Sequence, residues 1–308
     1  MVREVNGLQE AIRLVLGELL SVRGPAARPR GLPTAEVLGG AVKIADPRRR
    51  LVLRPPRRKW SLAFAMAEYL WYMRGENSLK TMAFYAPGIR QFSDDGETLY
   101  SAYGHRIFGA SSDIGFDQWE QAKRRLVEDP ESRQALLHIR VPRDSLVRTK
   151  DQPCTIALQF LQRSGKLHMV ATMRSNDIVL GTPYDIFSFT MMQEQMALEL
   201  GLELGSYYHQ VGSWHLYSDQ RALAEEMVEL TTSPPPMPRS EPGLAEMIAD
   251  EERIRRGETV APGTGYWRDW RLVLNCFAGL ADETPELRAE YREAWEMGRR
   301  LRKTSPPD

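Results

Sequence analysis

Cysteine is nearly absent from this chain: Cys154 and Cys276 are the two cysteines in 308 residues. That excludes a disulfide framework and makes a reducing, cytoplasmic setting the expectation. Net charge is missing as well, because 41 Lys and Arg balance 41 Asp and Glu. No global field draws such a chain to nucleic acid, so any anion site must be local. No apolar run approaches the roughly 20 residues of a membrane span, and no membrane partner is expected. A Gly-rich phosphate loop of the Walker kind is missing, which removes the signature of a nucleoside triphosphatase. There is no internal repeat, and no linker is long and polar enough to divide the sequence. What is present is an ordinary globular composition, 42% hydrophobic and 27% charged, so one core is expected throughout. The reading is a single α+β domain over residues 1–308.

The pattern along the chain supports that class. MVREVNGLQEAIRLVLGELL places Leu8, Ile12, Leu16 and Leu19 at helical spacing, carries acids and lacks a small-residue cleavage site. It therefore reads as a helix and not a signal peptide. RGPAARPRGLPT is a loop, AEVLGGAVKI a strand, and the proline-broken PRRRLVLRPPRRK a loop or edge. WSLAFAMAEYLWYMRGE is apolar around most of a helix and ends near glycine. FDQWEQAKRRLVED reads as an amphipathic helix, and RQALLHIRV as a strand. TIALQFLQRSGKLHMVATMR is a hairpin turning at Ser164-Gly165. FSFTMMQEQMALELGLELG is a long helix and SYYHQVGSWHLY a further strand. A helix over YSDQRALAEEMVELTTS leads into the proline-rich SPPPMPRSEP.

Chemistry concentrates in a few places. Cys154 follows a proline at the mouth of a strand. It is either a buried apolar cysteine or a nucleophile that needs positive charge nearby. Arg174 stands one hairpin later, and hairpin strands lie about 5 Å apart, so the two are candidate neighbours. Arg174 and Ser175 form either a salt-bridged strand end or a phosphate clamp, with Arg28, Arg30 and Arg133 as further candidates for the same anion. Glu68 sits among Met66, Leu70, Trp71 and Tyr72. It is either on an exposed strip or a general acid/base with a pKa raised by burial. His215 and Tyr217 share a strand face and are either satisfied polar groups on a half-buried strand or a pair that suits a sugar. His209 and His215 lack a Cys or HExxH partner, so no metal site is expected. Asp177 and Asp185 flank an apolar Gly-x-Pro-aromatic turn, Gly181 to Tyr184.

Taken in order, these pieces resemble the thymidylate synthase family. They are EYLW from Glu68, Tyr103-Gly104, Ser132-Arg133, Pro153-Cys154, RSNDIVLG from Arg174 and GSWHLY from Gly212. The resemblance is strongest over residues 10–230 and leaves 231–308 divergent. It implies a thymidylate synthase-like fold whose large mixed sheet, covered by helices, forms a homodimer interface with shared active sites. It implies a pyrimidine nucleoside monophosphate as substrate and 5,10-methylene-tetrahydrofolate as co-substrate, with no metal. By resemblance Cys154 is the nucleophile toward C6, and Glu68 organises water and protons. Tyr103 stands near the reacting carbon. Arg174, Ser175 and an Arg133 lent by the partner clamp phosphate. His215 and Tyr217 hold the sugar hydroxyl, and Asp177 meets the pterin.

Departures from the family pattern sharpen the expectation. Asp185 stands in GTPYD where the family carries Asn. An amide matches uracil's O4 and N3–H, whereas a carboxyl accepts from cytosine N4 and, when protonated, donates to N3. MRSND and GSWHLY are similar to the phage deoxycytidylate hydroxymethylases and to the cytidylate hydroxymethylases of nucleoside-antibiotic pathways. Gln134 replaces a second phosphate arginine, Thr155 replaces the His after the nucleophile, and RPRGLPT leaves Arg28 and Arg30 as alternatives. YAPGIRQFSDDG lacks the family's folate-flanking tryptophans, and TSPPD lacks its apolar closing tail. A wetter site is expected to let water attack the exocyclic methylene. The resulting expectation is cytidylate 5-hydroxymethylation, of CMP or dCMP. A uridylate-methylating synthase and a nucleotide-binding homologue without catalysis are the alternatives.

Overall fold

A computed structural model describes residues 2–55, 60–109, 115–281 and 285–302. The chain runs through β1 (Arg3–Val5), α1 (Leu8–Ser21), β2 (Thr34–Ile44), α2 (Leu62–Arg74), α3 (Leu79–Tyr85), α4 (Tyr103–Phe108) and α5 (Gln118–Glu128). It continues through β3 (Leu136–His138), β4 (Thr155–Arg163), β5 (Lys166–Met173), β6 (Asn176–Asp177), α6 (Gly181–Leu200) and β7 (Glu203–Tyr217). The helices α7 (Arg221–Glu229), α8 (Leu244–Arg255), α9 (Arg268–Ala278) and α10 (Ala289–Arg302) follow.

The strands form one mixed sheet in the order β1-β2-β7-β5-β4-β3, with β6 paired alongside β7. β4 and β5 are antiparallel, as their hairpin demands, and β5 runs parallel to β7 across the intervening α6. Helices α1 and α6 cover one face, and α2 packs behind α6. The opposite face is only half covered: His168, Val170, Thr172 and Tyr208 keep partial exposure and Gln210 is exposed. The expected α+β class with a large mixed sheet covered by helices is what the chain adopts.

Three local readings change. Residues 3–5, read as the start of a helix, instead pair with Val42–Ile44 as a parallel edge strand. Within RQALLHIRV only Leu136–His138 pairs as strand, with Gln159–Ala157 of β4. Most important, the GTPYD turn is the first turn of α6, which begins at Gly181. Proline is compatible with a helix's first turn, where its missing N–H has no intrahelical partner to lose. Asp185 is therefore a helical residue on a rigid element. The loop 47–59 carries no helix or strand over its described part, and its last residues, 56–59, lie outside the described residues, as does the tail from 303.

The β5–β6 step shapes the site. Strand β7 pairs β5 as far as Val211 and then pairs β6 from Trp214, so Arg174 and Ser175 lie where the sheet shifts partners. Gly212 passes over this step, and a Cβ there would come within 2.9 Å of the Arg174 carbonyl oxygen. No larger residue fits without moving the backbone that presents Arg174.

Candidate active site

The hairpin brings Cys154 and Arg174 together, as their sequence positions suggest. The Arg174 backbone N–H donates to the Cys154 carbonyl at 2.9 Å. Its side chain folds back over the same loop, with Nε donating to the Pro153 carbonyl at 3.0 Å and Nη2 to the Gln152 carbonyl at 3.2 Å. Nη2 also lies 3.5 Å from Cys154 Sγ. Burial pushes the Cys154 thiol above its usual range, and the Arg174 charge offsets part of that rise. The group is thus held as a thiol with a cation in place to favour the thiolate once charge develops.

Around the sheet step, Ser175 Oγ is 3.3 Å from His215 Nδ1, and the His215 and Tyr217 rings meet edge to face at 5.1 Å. Arg30 joins them, its Nη2 donating to the Tyr217 hydroxyl at 3.4 Å. Its backbone has φ 54°, an uncommon conformation outside glycine that turns the loop toward the sheet. Of Arg28 and Arg30, the structure brings Arg30 to the site; Arg28 stays exposed on the loop. Arg133 is exposed beyond α5, and its backbone carbonyl accepts from Gln159. It is not brought to Cys154 within this one chain. Asp177 Oδ1 accepts from the backbone N–H groups of Val179 at 2.7 Å and Leu180 at 3.0 Å. It shapes the turn that leads into α6.

Behind Cys154 lies an acidic and phenolic cluster. Tyr103 Oη accepts from the Thr155 N–H at 3.4 Å, and its ring packs beside Tyr72 at 5.3 Å. Burial, and then the charge of Asp185, push Glu68 up to about 8. Its Oε2 has no hydrogen-bond partner among the described residues. Burial first, then Asp177, push Asp185 up to about 7, against the opposing hydrogen bond from Asn176. Two carboxyls that exchange protons near neutrality, beside a cysteine, can move protons and orient water at a reacting carbon.

Sequence reading missed what holds Asp185. Asn176 Nδ2 donates to Asp185 Oδ2 at 2.7 Å. Asn176 Oδ1 accepts from Thr182 Oγ1 at 2.7 Å and lies 3.0 Å from His209 Nε2. Trp214 Nε1 donates to Thr182 Oγ1 at 3.1 Å, and the Tyr207 hydroxyl lies 2.7 Å from His209 Nδ1. Burial pushes His209 down to about 3, so its imidazole is neutral. The available signal was a pair of polar rings, Tyr207 and His209, two apart on the inward face of a strand.

The sequence pattern of the thymidylate synthase family matches residues 33–250 of this chain. Over 206 residues the chain is 34% identical to a deoxyuridylate hydroxymethyltransferase of Bacillus phage SP01, covering 64% of this chain and 54% of the phage protein. The chain therefore spans about half the length of that relative. Over 172 residues it is 27% identical to a thymidylate synthase of Bacillus atrophaeus and to thymidylate synthase 1 of Bacillus amyloliquefaciens. Those alignments cover 54% of this chain and 74% of each relative.

Proposed function

This chain belongs to the thymidylate synthase family, and from that membership we propose that it is a cytidylate 5-hydroxymethyltransferase, acting on CMP or dCMP with methylene-tetrahydrofolate. The observation that carries the base assignment is Asp185, a carboxyl on the first turn of α6 that accepts from Asn176 and is raised by burial to about 7. In its neutral form it donates to cytosine N3 and accepts from the N4 amino group, the reverse of what uracil requires of its partner. The hydroxymethyl outcome is supported by the name of the phage relative, a hydroxymethyltransferase.

In this reading Cys154 Sγ adds to C6 of the base, with Arg174 favouring the thiolate and, with Ser175 and Arg30, the nucleotide phosphate. That addition makes C5 nucleophilic. The co-substrate supplies a one-carbon unit at the formaldehyde oxidation level, and the residue that would meet its pterin is Asp177 through Oδ2. C5 bonds to that carbon, tetrahydrofolate leaves with the electron pair of the broken C–N bond, and the C5 proton passes through water beside Tyr103 to the ionised form of Glu68. Glu68 then orients a water for attack on the exocyclic methylene, and Cys154 leaves to restore the aromatic base. His215 and Tyr217 hold the sugar. Arg133 completes the phosphate site from a second protomer of a homodimer.

The test is base preference. The wild-type protein is expected to turn over CMP or dCMP in preference to UMP or dUMP, and Asp185→Asn is expected to reverse that order. A wild type that prefers uridylate would overturn the assignment. Uridylate hydroxymethylation is the second reading, favoured by the substrate in the phage relative's name. The same competition separates the two.

A further inference from the structure

Trp214 fixes the direction of the buried hydrogen-bond chain around Asn176. An indole N–H can only donate, so Thr182 Oγ1 accepts from it and turns its own hydrogen to Asn176, 2.7 Å away. The Asn176 atom that receives this hydrogen is the amide oxygen. His209 Nε2, 3.0 Å from that same oxygen, carries the imidazole proton and donates it, while Nδ1 accepts from Tyr207. Thr182, Tyr207, His209 and Trp214 are fully buried and Asn176 is 3% exposed, so water cannot substitute for these partners. The remaining Asn176 group, its NH2, is thereby aimed at Asp185 Oδ2. Gly181 permits the approach: a Cβ there would come within 3.0 Å of Asn176 Nδ2 and 3.2 Å of Asp185 Oδ2.

We infer that Asn176 is a specificity-determining positioning residue, which keeps Asp185 Oδ2 an acceptor, directs the carboxyl proton to Oδ1 and so favours cytosine over uracil. The inference rests on the cytidylate reading and deepens it. A carbonyl-type oxygen accepts an N–H better than a hydroxyl oxygen does, so the Asn176 amide disfavours the acid with its proton on Oδ2. In the orientation this inference takes, Oδ1 faces N3 and Oδ2 faces the 4-substituent, so with the proton on Oδ1 the carboxyl donates to cytosine N3, and Oδ2 uses its second lone pair for the N4 amino group. Uracil offers N3–H and O4 and needs the opposite arrangement, with the proton on the oxygen that Asn176 already serves. A buried group is then left without a partner, and the base is rejected. The titratable groups around Asp185 are Glu68 and Tyr72 on α2, Tyr103 on α4, Cys154, Asp177 on β6 and Tyr207 on β7.

The experiment measures kcat/KM for CMP and UMP across pH in the wild type, Asn176→Ala and Thr182→Val, with thermal unfolding as a check on folding. Asn176→Ala is expected to lower the CMP-to-UMP ratio about tenfold or more. It also removes a donor that favours the ionised carboxyl. The limb on which CMP activity falls with rising pH therefore moves to higher pH, a shift that a merely structural role would not produce. Thr182→Val keeps the amide but loosens its orientation, and a smaller fall in the ratio is expected. A folded, active Asn176→Ala protein with the wild-type ratio and profile overturns the inference while leaving the cytidylate reading intact. Should Asn176→Ala not fold, Thr182→Val decides, and an unchanged ratio overturns the inference. A wild type that favours UMP overturns the cytidylate reading and this inference with it.

Discussion

Glu68 and Asp185 ionise near neutrality in the folded chain, at about 8 and about 7, whereas free carboxyls titrate near pH 4. Between those values the folded state holds protons that the unfolded chain releases. Their contribution to stability is therefore fully present below about pH 4 and is lost as pH rises through about 7 to 8. Thermal unfolding of the ligand-free protein should show this as a melting temperature that declines over that window. Asp185→Asn should flatten the decline, and a variant whose melting temperature falls as steeply as the wild type would contradict the assignment. At the same scale, Arg30→Ala should raise KM for the nucleotide well above the effect of Arg28→Ala, because Arg30 is the one that meets Tyr217. Equal effects in steady-state kinetics would sink that distinction. Some of this was legible in sequence: Cys154 and Arg174 are neighbours because a hairpin turn is easy to read and fixes its register. The Asn176 network was not, because Asn176, Thr182, His209 and Trp214 come from three elements that only the tertiary fold joins.

The elements that carry the site are rigid ones. Asp185 and Gly181 sit on α6, Glu68 on α2, and His215 and Tyr217 on β7. Sequence periodicity found the body of α6 but read its first turn as loop, since Gly and Pro there look like punctuation until packing is known. Helix α6 is tied to the loop after β2 by Glu194, whose carboxylate pairs with Arg48 at 2.7 Å and with the fully buried Arg50 at 2.6 Å. The two guanidinium groups hold Glu194 below its ordinary range, against burial. Glu194→Ala would leave Arg50 without this carboxylate and should cost about 3–5 kcal/mol in denaturant unfolding. A loss within the scatter of surface substitutions would show that the pair does not anchor α6. Helix α4 lies against α2 so closely that a Cβ at Gly104 would meet the Tyr72 carbonyl oxygen at 2.1 Å. That contact keeps Tyr103 beside Tyr72 and near the cysteine.

Across the whole molecule, the half-covered face of the sheet is what the family's dimer would use. Leu38 and Ile156 are exposed apolar side chains on its strands, and Arg133 is exposed beyond α5. A sheet-face homodimer with shared sites makes a plain prediction: Arg133→Ala and Cys154→Ala are each inactive alone, and mixing them restores part of the activity. Sedimentation of the wild type as a monomer, or mixtures that stay inactive, would refute it. The central claim concerns the reaction itself, and one measurement bears on it most directly. The wild-type protein is incubated with equal amounts of cytidylate and uridylate and with methylene-tetrahydrofolate in heavy-oxygen water, and the nucleotides are weighed by mass spectrometry. The account predicts a product heavier by one CH2O unit whose oxygen comes from the solvent, without dihydrofolate absorbance. A methylated uridylate made in competition, with dihydrofolate accumulating, would contradict it.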